Sequence, residues 1–393
     1  MRAIRNATWP AYFPDDYRWS ISMMVALSLA RTGGAEIGEL DQIARRLKYD
    51  VGDDDRWFDE WVEMSSKVLE LAEVAEAKGR AVTASSHYKR TAAYAFVAER
   101  FRLPKDERAM QVYARGVDSF RKAMTLGDGP IVEFVEVPYE DGNLPGLFVH
   151  AQGSGEARPP VVVFFTGFDG NKELNWFWGI EDLVKRGVSC LSLDTPGVGE
   201  AIRFRGFYLR HDYEVAASAS LDYLESRGDV DASRTAILAP SLGGYYASRA
   251  ASMEPRFKAC VAWGAQWDYH AVWQRRIAAN YEAQLPVPGE HLMWSTNADS
   301  PEEALRRIDG FRLDGVVQKM RCPFLLCHGE DDQQIPVTDA RRLYEAVGSD
   351  DKEIRIFTAE EGGAQHCHVD NLAVATPVMF DWVAERLSSL TPS

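Results

Sequence analysis

The chain has 393 residues, 46% hydrophobic and 26% charged, without a long biased tract, which excludes a disordered or fibrous protein. Its formal net charge of -15, with no Lys/Arg-rich run, works against a phosphate-tracking surface, so nucleic acid is not an expected partner. Five cysteines (Cys190, Cys260, Cys322, Cys327, Cys367) offer neither an even disulfide framework nor a CxxC zinc pattern, and the expectation is a cytoplasmic protein without a metal.

From the N-terminus, the apolar stretch Ile21 to Ala30 is too short to span a bilayer and follows Asp15 and Asp16, so it reads as a buried helix and no membrane partner is expected. Trp57, Trp61, Val68, Leu71 and Ala75 fall at helical spacing. Tyr88, Ala92, Ala95 and Val97 begin a similar pattern that runs to Phe101. Pro104 separates it from a further helix over Asp106 to Met124, and Gly127-Asp128-Gly129-Pro130 marks a boundary. Residues 1–128 are therefore expected to form a helical cap domain and residues 129–393 a second domain.

Beyond Pro130 the texture changes to short apolar or β-branched runs alternating with helical patterns, the signature of an α/β fold whose mostly parallel sheet carries helices on both faces. Val132 to Pro138 and Leu144 to His150 read as a hairpin around Asp141-Gly142-Asn143. Pro160 to Phe165, Val188 to Leu193, Thr235 to Leu238, Ala259 to Trp263, Phe324 to Cys327 and Ile354 to Phe357 read as successive strands. About 60 residues separate Trp263 from Phe324 and include Trp267, Tyr269, Trp273, Tyr281 and Trp294. A connection that long commonly carries function, and a lid insertion at about 265–315 stands beside the plainer reading of two packing helices.

Ala239-Pro240-Ser241-Leu242-Gly243-Gly244 lies between a strand and a helical stretch, where small neighbours let the chain turn sharply and expose a serine oxygen. Ala239 stands where the usual elbow has Gly. Serine is a weak nucleophile at its free pKa, so a histidine must take its proton and a carboxylate must orient that histidine. In the order nucleophile, acid, base, Asp332 follows the strand ending at Cys327, with Asp331 as its competitor. His366 follows Gly362-Gly363 after the last strand, with His368 as its rival; His328, His270, His211, His150, His87 and His291 fit this order less well. The oxyanion formed on attack needs backbone N–H donors. Leu242 supplies one in this reading and the loop Thr166-Gly167-Phe168-Asp169-Gly170 the other, through Phe168; the same loop also reads as a simple tight turn. Neither a dinucleotide nor a P-loop motif follows a strand.

These features together resemble the α/β-hydrolase fold, and within it the FrsA-like group with a helical N-terminal domain, which includes 2,6-dihydroxypseudooxynicotine hydrolase and polyketide-shortening hydrolases of fungal pigment pathways. The resemblance rests on Val137-Pro138-Tyr139-Glu140 with Leu144-Pro145-Gly146, on Gly167-Phe168-Asp169-Gly170 with Lys172-Glu173, on Asp194-Thr195-Pro196-Gly197-Val198-Gly199-Glu200, on the Ser241 elbow and on His366-Cys367. It implies hydrolysis of a carbon–carbon bond beside a ketone in an aromatic or polyketide-like small molecule, with no cofactor, and a homodimer formed through the helical part. In that chemistry Ser241 adds to the ketone and His366 protonates the departing carbon. Gly167, Asp169, Trp267, Asp268 and Tyr269 are the candidate substrate contacts, Asp268 as a second acid and Trp267 and Tyr269 by stacking or by anchoring the lid. An esterase, lactonase or thioesterase, a cyclase or acyltransferase, and a binding protein on the same scaffold remain open alternatives.

Overall fold

The computed structural model describes residues 9–279 and 285–392, and the chain divides into two compact units, one running to Ile131 together with a segment that ends at His291, the other holding the remainder. The first unit contains α1 (Tyr17–Ser28), α2 (Ile37–Leu47), α3 (Asp54–Ala77), α4 (Ala81–Glu99) and α5 (Glu107–Leu126). Three of these start on an aspartate whose side chain accepts a first-turn N–H: Asp16 from Trp19, Asp53 from Asp55 and Arg56, and Asp106 from Ala109. Each such cap is worth about 1 kcal/mol. Helix α4 packs on both α3 and α5 and buries nearly its whole circumference from Thr91 to Glu99, where alanines allow the close approach. Trp57 Nε1 donates to Val97 O at 3.0 Å and Ser65 Oγ to Thr91 O at 3.0 Å, so the α3–α4 contact is pinned as well as apolar. Leu71 fits the helical spacing but is 47% exposed, because it lies off the stripe that Trp57, Trp61, Val68 and Ala75 bury.

The second unit is an eight-stranded sheet in the order β1-β2-β4-β3-β5-β6-β7-β8. The strands are β1 (Val132–Tyr139), β2 (Gly142–Val149), β3 (Val161–Phe164), β4 (Ser189–Leu193), β5 (Thr235–Pro240), β6 (Ala259–Trp263), β7 (Phe324–Gly329) and β8 (Lys352–Phe357). β2 pairs antiparallel with β1 and with β4; every other neighbouring pair is parallel. The hairpin turns at Glu140-Asp141 and not around Asp141-Gly142-Asn143, since Gly142 and Asn143 are already paired with Tyr139 and Pro138. Glu140 takes the left-handed conformation at φ 48° that lets the two-residue turn close. Strands β3 to β6 are buried along their whole length, as expected of a sheet covered on both faces.

The helices of this unit are α6 (Lys172–Asn175), α7 (Glu181–Val184), α8 (Gly199–Arg205), α9 (Glu214–Ser226), α10 (Gly243–Met253), α11 (Tyr269–Ala278), α12 (His291–Thr296), α13 (Pro301–Arg307), α14 (Val337–Ala346) and α15 (Leu372–Ser388), with a π-helical turn at Trp176–Ile180 between α6 and α7. The long β6–β7 connection holds α11, α12 and α13; Tyr281 lies outside the described residues. Among the described residues, no helix is long and apolar enough to cross a membrane.

Candidate active site

The parallel sheet brings the loops after β3, β5, β6, β7 and β8 to one edge, the general location of ligand sites in open α/β sheets. Ser241 sits directly after β5 in the left-handed conformation, φ 61°, strain that a non-glycine residue tolerates only where its surroundings enforce it. They do so here. Ser241 N–H donates to Trp263 O at 2.8 Å, and a Cβ at Gly244 would lie 1.9 Å from the Gly264 carbonyl oxygen. A Cβ at Gly243 would lie 2.6 Å from the Ala239 methyl, so the small residue at 239 and the glycine at 243 fit as a pair.

Around this serine the structure gathers residues far apart in the chain. His366 Nε2 is 2.8 Å from Ser241 Oγ, and His366 Nδ1 is 2.7 Å from Asp332 Oδ2. The other carboxylate oxygen of Asp332 accepts the N–H groups of Gln334 and Ile335 at 2.8 and 3.0 Å, which fixes its orientation. Burial disfavours the charged imidazole, but the Asp332 carboxylate and its hydrogen bond outweigh it and hold His366 well above its ordinary pKa. Burial likewise works to raise Asp332, and the facing imidazole prevails, keeping it below the usual carboxylate range. The competitor Asp331 is exposed, its N–H spent on Ala364 O.

His368 differs from His366 although both are buried on one short turn. Its Nδ1 is 2.6 Å from Gly363 O and its ring lies against Phe357, 4.6 Å between centroids. Burial pushes its pKa down to about 4, so this imidazole is a neutral packing group. His328 is the residue that chain order hides. It is buried with Nε2 3.0 Å from Ile335 O and 3.8 Å from Asp332 Oδ2, behind the acid, and burial lowers its pKa. Trp263 is equally hidden: its indole N–H donates to Cys367 O at 3.1 Å and stitches the histidine turn to the end of β6. A single aromatic at a strand end carries no sequence signal for that role.

The loop after β3 runs against the elbow. A Cβ at Gly167 would lie 3.0 Å from Ser241 Cβ and 3.1 Å from Pro240 O, so this loop passes the serine at backbone distance. Leu242 follows the serine at the start of α10, and the Phe168 ring packs edge-on against Tyr269 (5.8 Å) and Trp273 (6.0 Å). Asp169 is half-buried, near enough to Tyr269 to raise its hydroxyl pKa as a minor contributor after burial. Trp267 is buried under the Arg342 guanidinium, 4.7 Å from ring centroid to carbon. Tyr269 is likewise buried, so both aromatics have protein packing partners. Asp268 plays a structural part, capping α11 by accepting Ala271 N–H at 2.8 Å and pairing across a bridge with Arg312. One oxygen of the carboxylate that the sequence offers as a second acid is thus engaged in the helix cap.

Among the described residues, Glu133, His150 and Asp229 have donor atoms grouped closely enough for a metal ion. Arg227 already bridges both carboxylates, 3.0 Å to Glu133 and 2.5 Å to Asp229, and its guanidinium supplies the positive charge a cation would bring.

Comparison with known proteins places the chain among hydrolases of this fold. The family model described as "Esterase FrsA-like" matches residues 43–356. The hydrolase LUC6 of Fusarium sp is 32% identical over 95% of this chain and 97% of its own. The 20-hydroxy-prefusarin hydrolase FUS2 of Gibberella moniliformis is 31% identical over 89% of this chain and 92% of its own. The crystal structure of 2,6-dihydroxy-pseudo-oxynicotine hydrolase superposes with a TM-score of 0.76 at 25% identity, covering 93% of this chain and 98% of that one. The chain is an α/β-fold hydrolase and belongs to the FrsA-like esterase family.

Proposed function

We propose that this hydrolase works through Ser241 as nucleophile, His366 as general base and acid, and Asp332 as the orienting carboxylate, and that it cleaves a carbon–carbon bond beside a ketone in an aromatic or polyketide-like small molecule without a cofactor. The observation that carries the reading is the continuous relay, 2.8 Å from Ser241 Oγ to Nε2 and 2.7 Å from Nδ1 to Asp332. Ser241 adds to the ketone as His366 takes its proton. The oxyanion is held by the N–H groups of Leu242 and Phe168, each worth about 3 kcal/mol in such a site. Collapse expels carbon, which leaves only if its electron pair is delocalised as an enolate or electron-rich ring, and the His366 imidazolium protonates it. Water, deprotonated by the same imidazole, then releases the acid product. Gly167 and Asp169 lie on the loop proposed to meet the ketone, and the segment at about 265–315, through Tyr269 and Trp273 against Phe168, forms its aromatic support. In support, two relatives carry names that assign hydrolysis of 20-hydroxy-prefusarin and of 2,6-dihydroxy-pseudo-oxynicotine to those proteins.

A second reading, ester hydrolysis, is favoured by the description of the family itself as esterase-like. Paired assays of a matched aryl ester and aryl 1,3-diketone decide between them: turnover of the diketone with oxygen from labelled water in the acid product is expected, and turnover confined to the ester would reject carbon–carbon cleavage. A fluorophosphonate should label the parent protein and not Ser241→Ala; labelling that persists in the variant removes Ser241 from its role.

A further inference from the structure

Outside the relay, a heavily charged buried group among the described residues of the second unit surrounds Lys172, at the root of the loop that passes Ser241. Lys172 Nζ is 2.6 Å from Glu173 Oε1, 3.0 Å from Asp194 Oδ2 and 2.5 Å from Glu200 Oε2. The side chains of Lys172, Glu173 and Asp194 are 3%, 0% and 0% exposed. Asp194 also accepts two backbone N–H groups, that of Lys172 at 2.7 Å and that of Glu200 at 2.8 Å. Three chain segments are thereby joined: the end of the β3–α6 loop, the end of β4 and the start of α8. Burying such a set costs several kcal/mol per ion, and packed apolar residues in its place would often be at least as stable. Stability alone is therefore a poor account of it. What the cluster supplies is a directional fix on the backbone at position 172, five residues after Gly167, whose missing Cβ lets the other end of the same loop lie against Ser241.

The geometry points to Lys172 as a positioning residue: together with Asp194 and Glu200 it holds the 166–171 loop, and so the Phe168 N–H, in register with the Ser241 oxygen. The inference rests on the proposed nucleophile and oxyanion donors. Asn171 and Asn175 extend the same anchorage, Asn171 capping the Leu174 N–H at 2.8 Å and Asn175 Nδ2 reaching Ser192 Oγ at 3.0 Å. Surplus negative charge is accommodated as well. Burial raises Glu173 to about 7 against the opposing pull of Lys172, so near neutral pH this carboxyl can carry a proton and relieve the repulsion among the three acids.

The test uses p-nitrophenyl butyrate as substrate and a fluorophosphonate as active-site titrant, on the full chain and on Lys172→Met, Asp194→Asn and Ser241→Ala. Titration to its end point counts competent serines, so kcat per labelled site separates a positioning defect from simple loss of folded protein. Lys172→Met and Asp194→Asn should each lower kcat per labelled site by about 10- to 100-fold, with KM changed less than about threefold, the size expected when an oxyanion donor is displaced and not removed. A kcat per labelled site within about twofold of the parent in the folded variants overturns the inference. If Lys172→Met fails to fold, the near-isosteric Asp194→Asn carries the test alone. Absence of labelling in the parent, or labelling that survives in Ser241→Ala, instead rejects the nucleophile assignment on which the inference stands.

Discussion

On the β7–β8 side of the elbow a single carboxylate, Asp332, faces a single imidazole, whereas on the β3–β4 side a single ammonium, Lys172, faces three carboxylates. Both groups are buried at the carboxyl edge of one sheet, and both press a loop toward Ser241. They differ in what their protons can do. The Asp332–His366 pair is balanced, and its second ring nitrogen is directed at a hydroxyl that has a proton to give, so charge can appear on the imidazole and find its partner already in place. Around Lys172 both oxygens of Asp194 are spent on backbone N–H groups and on the ammonium itself, an arrangement that resists movement. A mobile proton on one side and a fixed backbone on the other are complementary demands of the same chemistry.

Removing the balance on the mobile side should have the largest effect. Asp332→Asn keeps the shape of the acid but removes its charge, and kcat on an ester probe is expected to fall by about 10⁴-fold. The pH profile should move too. In the proposed mechanism the parent needs neutral His366, whose pKa stands above the ordinary value chiefly because of Asp332, so activity should rise with pH through a limb placed alkaline of about 6.5. Without that carboxylate, burial of the imidazole meets much less opposition and the limb should shift to lower pH. A pH–rate series on both proteins checks this, and an unmoved limb would dissociate Asp332 from the titration.

On the fixed side, Gly167→Ala tests whether the loop must approach so closely. The added methyl would lie 3.0 Å from Ser241 Cβ and 3.1 Å from Pro240 O, contacts that backbone and serine relieve only by moving a few tenths of an ångström. The expected cost is about 10- to 100-fold in kcat, with the thermal midpoint little changed, because the methyl disturbs donor geometry and not the core. Parent-like turnover would show that the loop has slack, and the contrast between the two sides would weaken.

The two sides are also unequally visible in the sequence. Ser241, Asp332 and His366 stand out because chain order and strand ends constrain where such residues fall, and the alternation of strand and helix patterns makes the parallel sheet legible. The Lys172 cluster does not stand out. Lys172-Glu173 and Asp194 to Glu200 are visible as motif residues, but nothing in their spacing says that their charges meet, since that depends on β3 and β4 being neighbours in the sheet. His328 fits the chain order poorly, and its place behind Asp332 is not legible for a similar reason: it follows from the turn that brings Ile335 back to it, a tertiary fact. Asp268 is ambiguous in the sequence, because a helix cap and a catalytic acid have the same residue type just beyond a strand, and the cap is a tertiary detail.

The smallest expected effect concerns stability. Burial places Glu173 at about 7 in the folded protein, against about 4.5 for an unperturbed glutamate. A raised carboxyl pKa means that the folded state keeps a proton which the unfolded chain releases, so stability falls as pH rises from about 4.5 to about 7 and the loss is complete above that window. Glu173→Gln cannot ionise and should lack this loss. Relative to the parent, the variant's unfolding free energy should gain about 1 to 3 kcal/mol between pH 5 and pH 8, the order expected for a shift of this size. Urea titrations of both proteins at the two pH values measure it, and the comparison cancels every other titrating group that the two share. Parallel stability–pH curves would mean that Glu173 is ionised throughout, leaving the three acids around Lys172 with no proton to relieve them. A gain near the upper figure would instead show that the native geometry of the fixed side is stabilised by that proton.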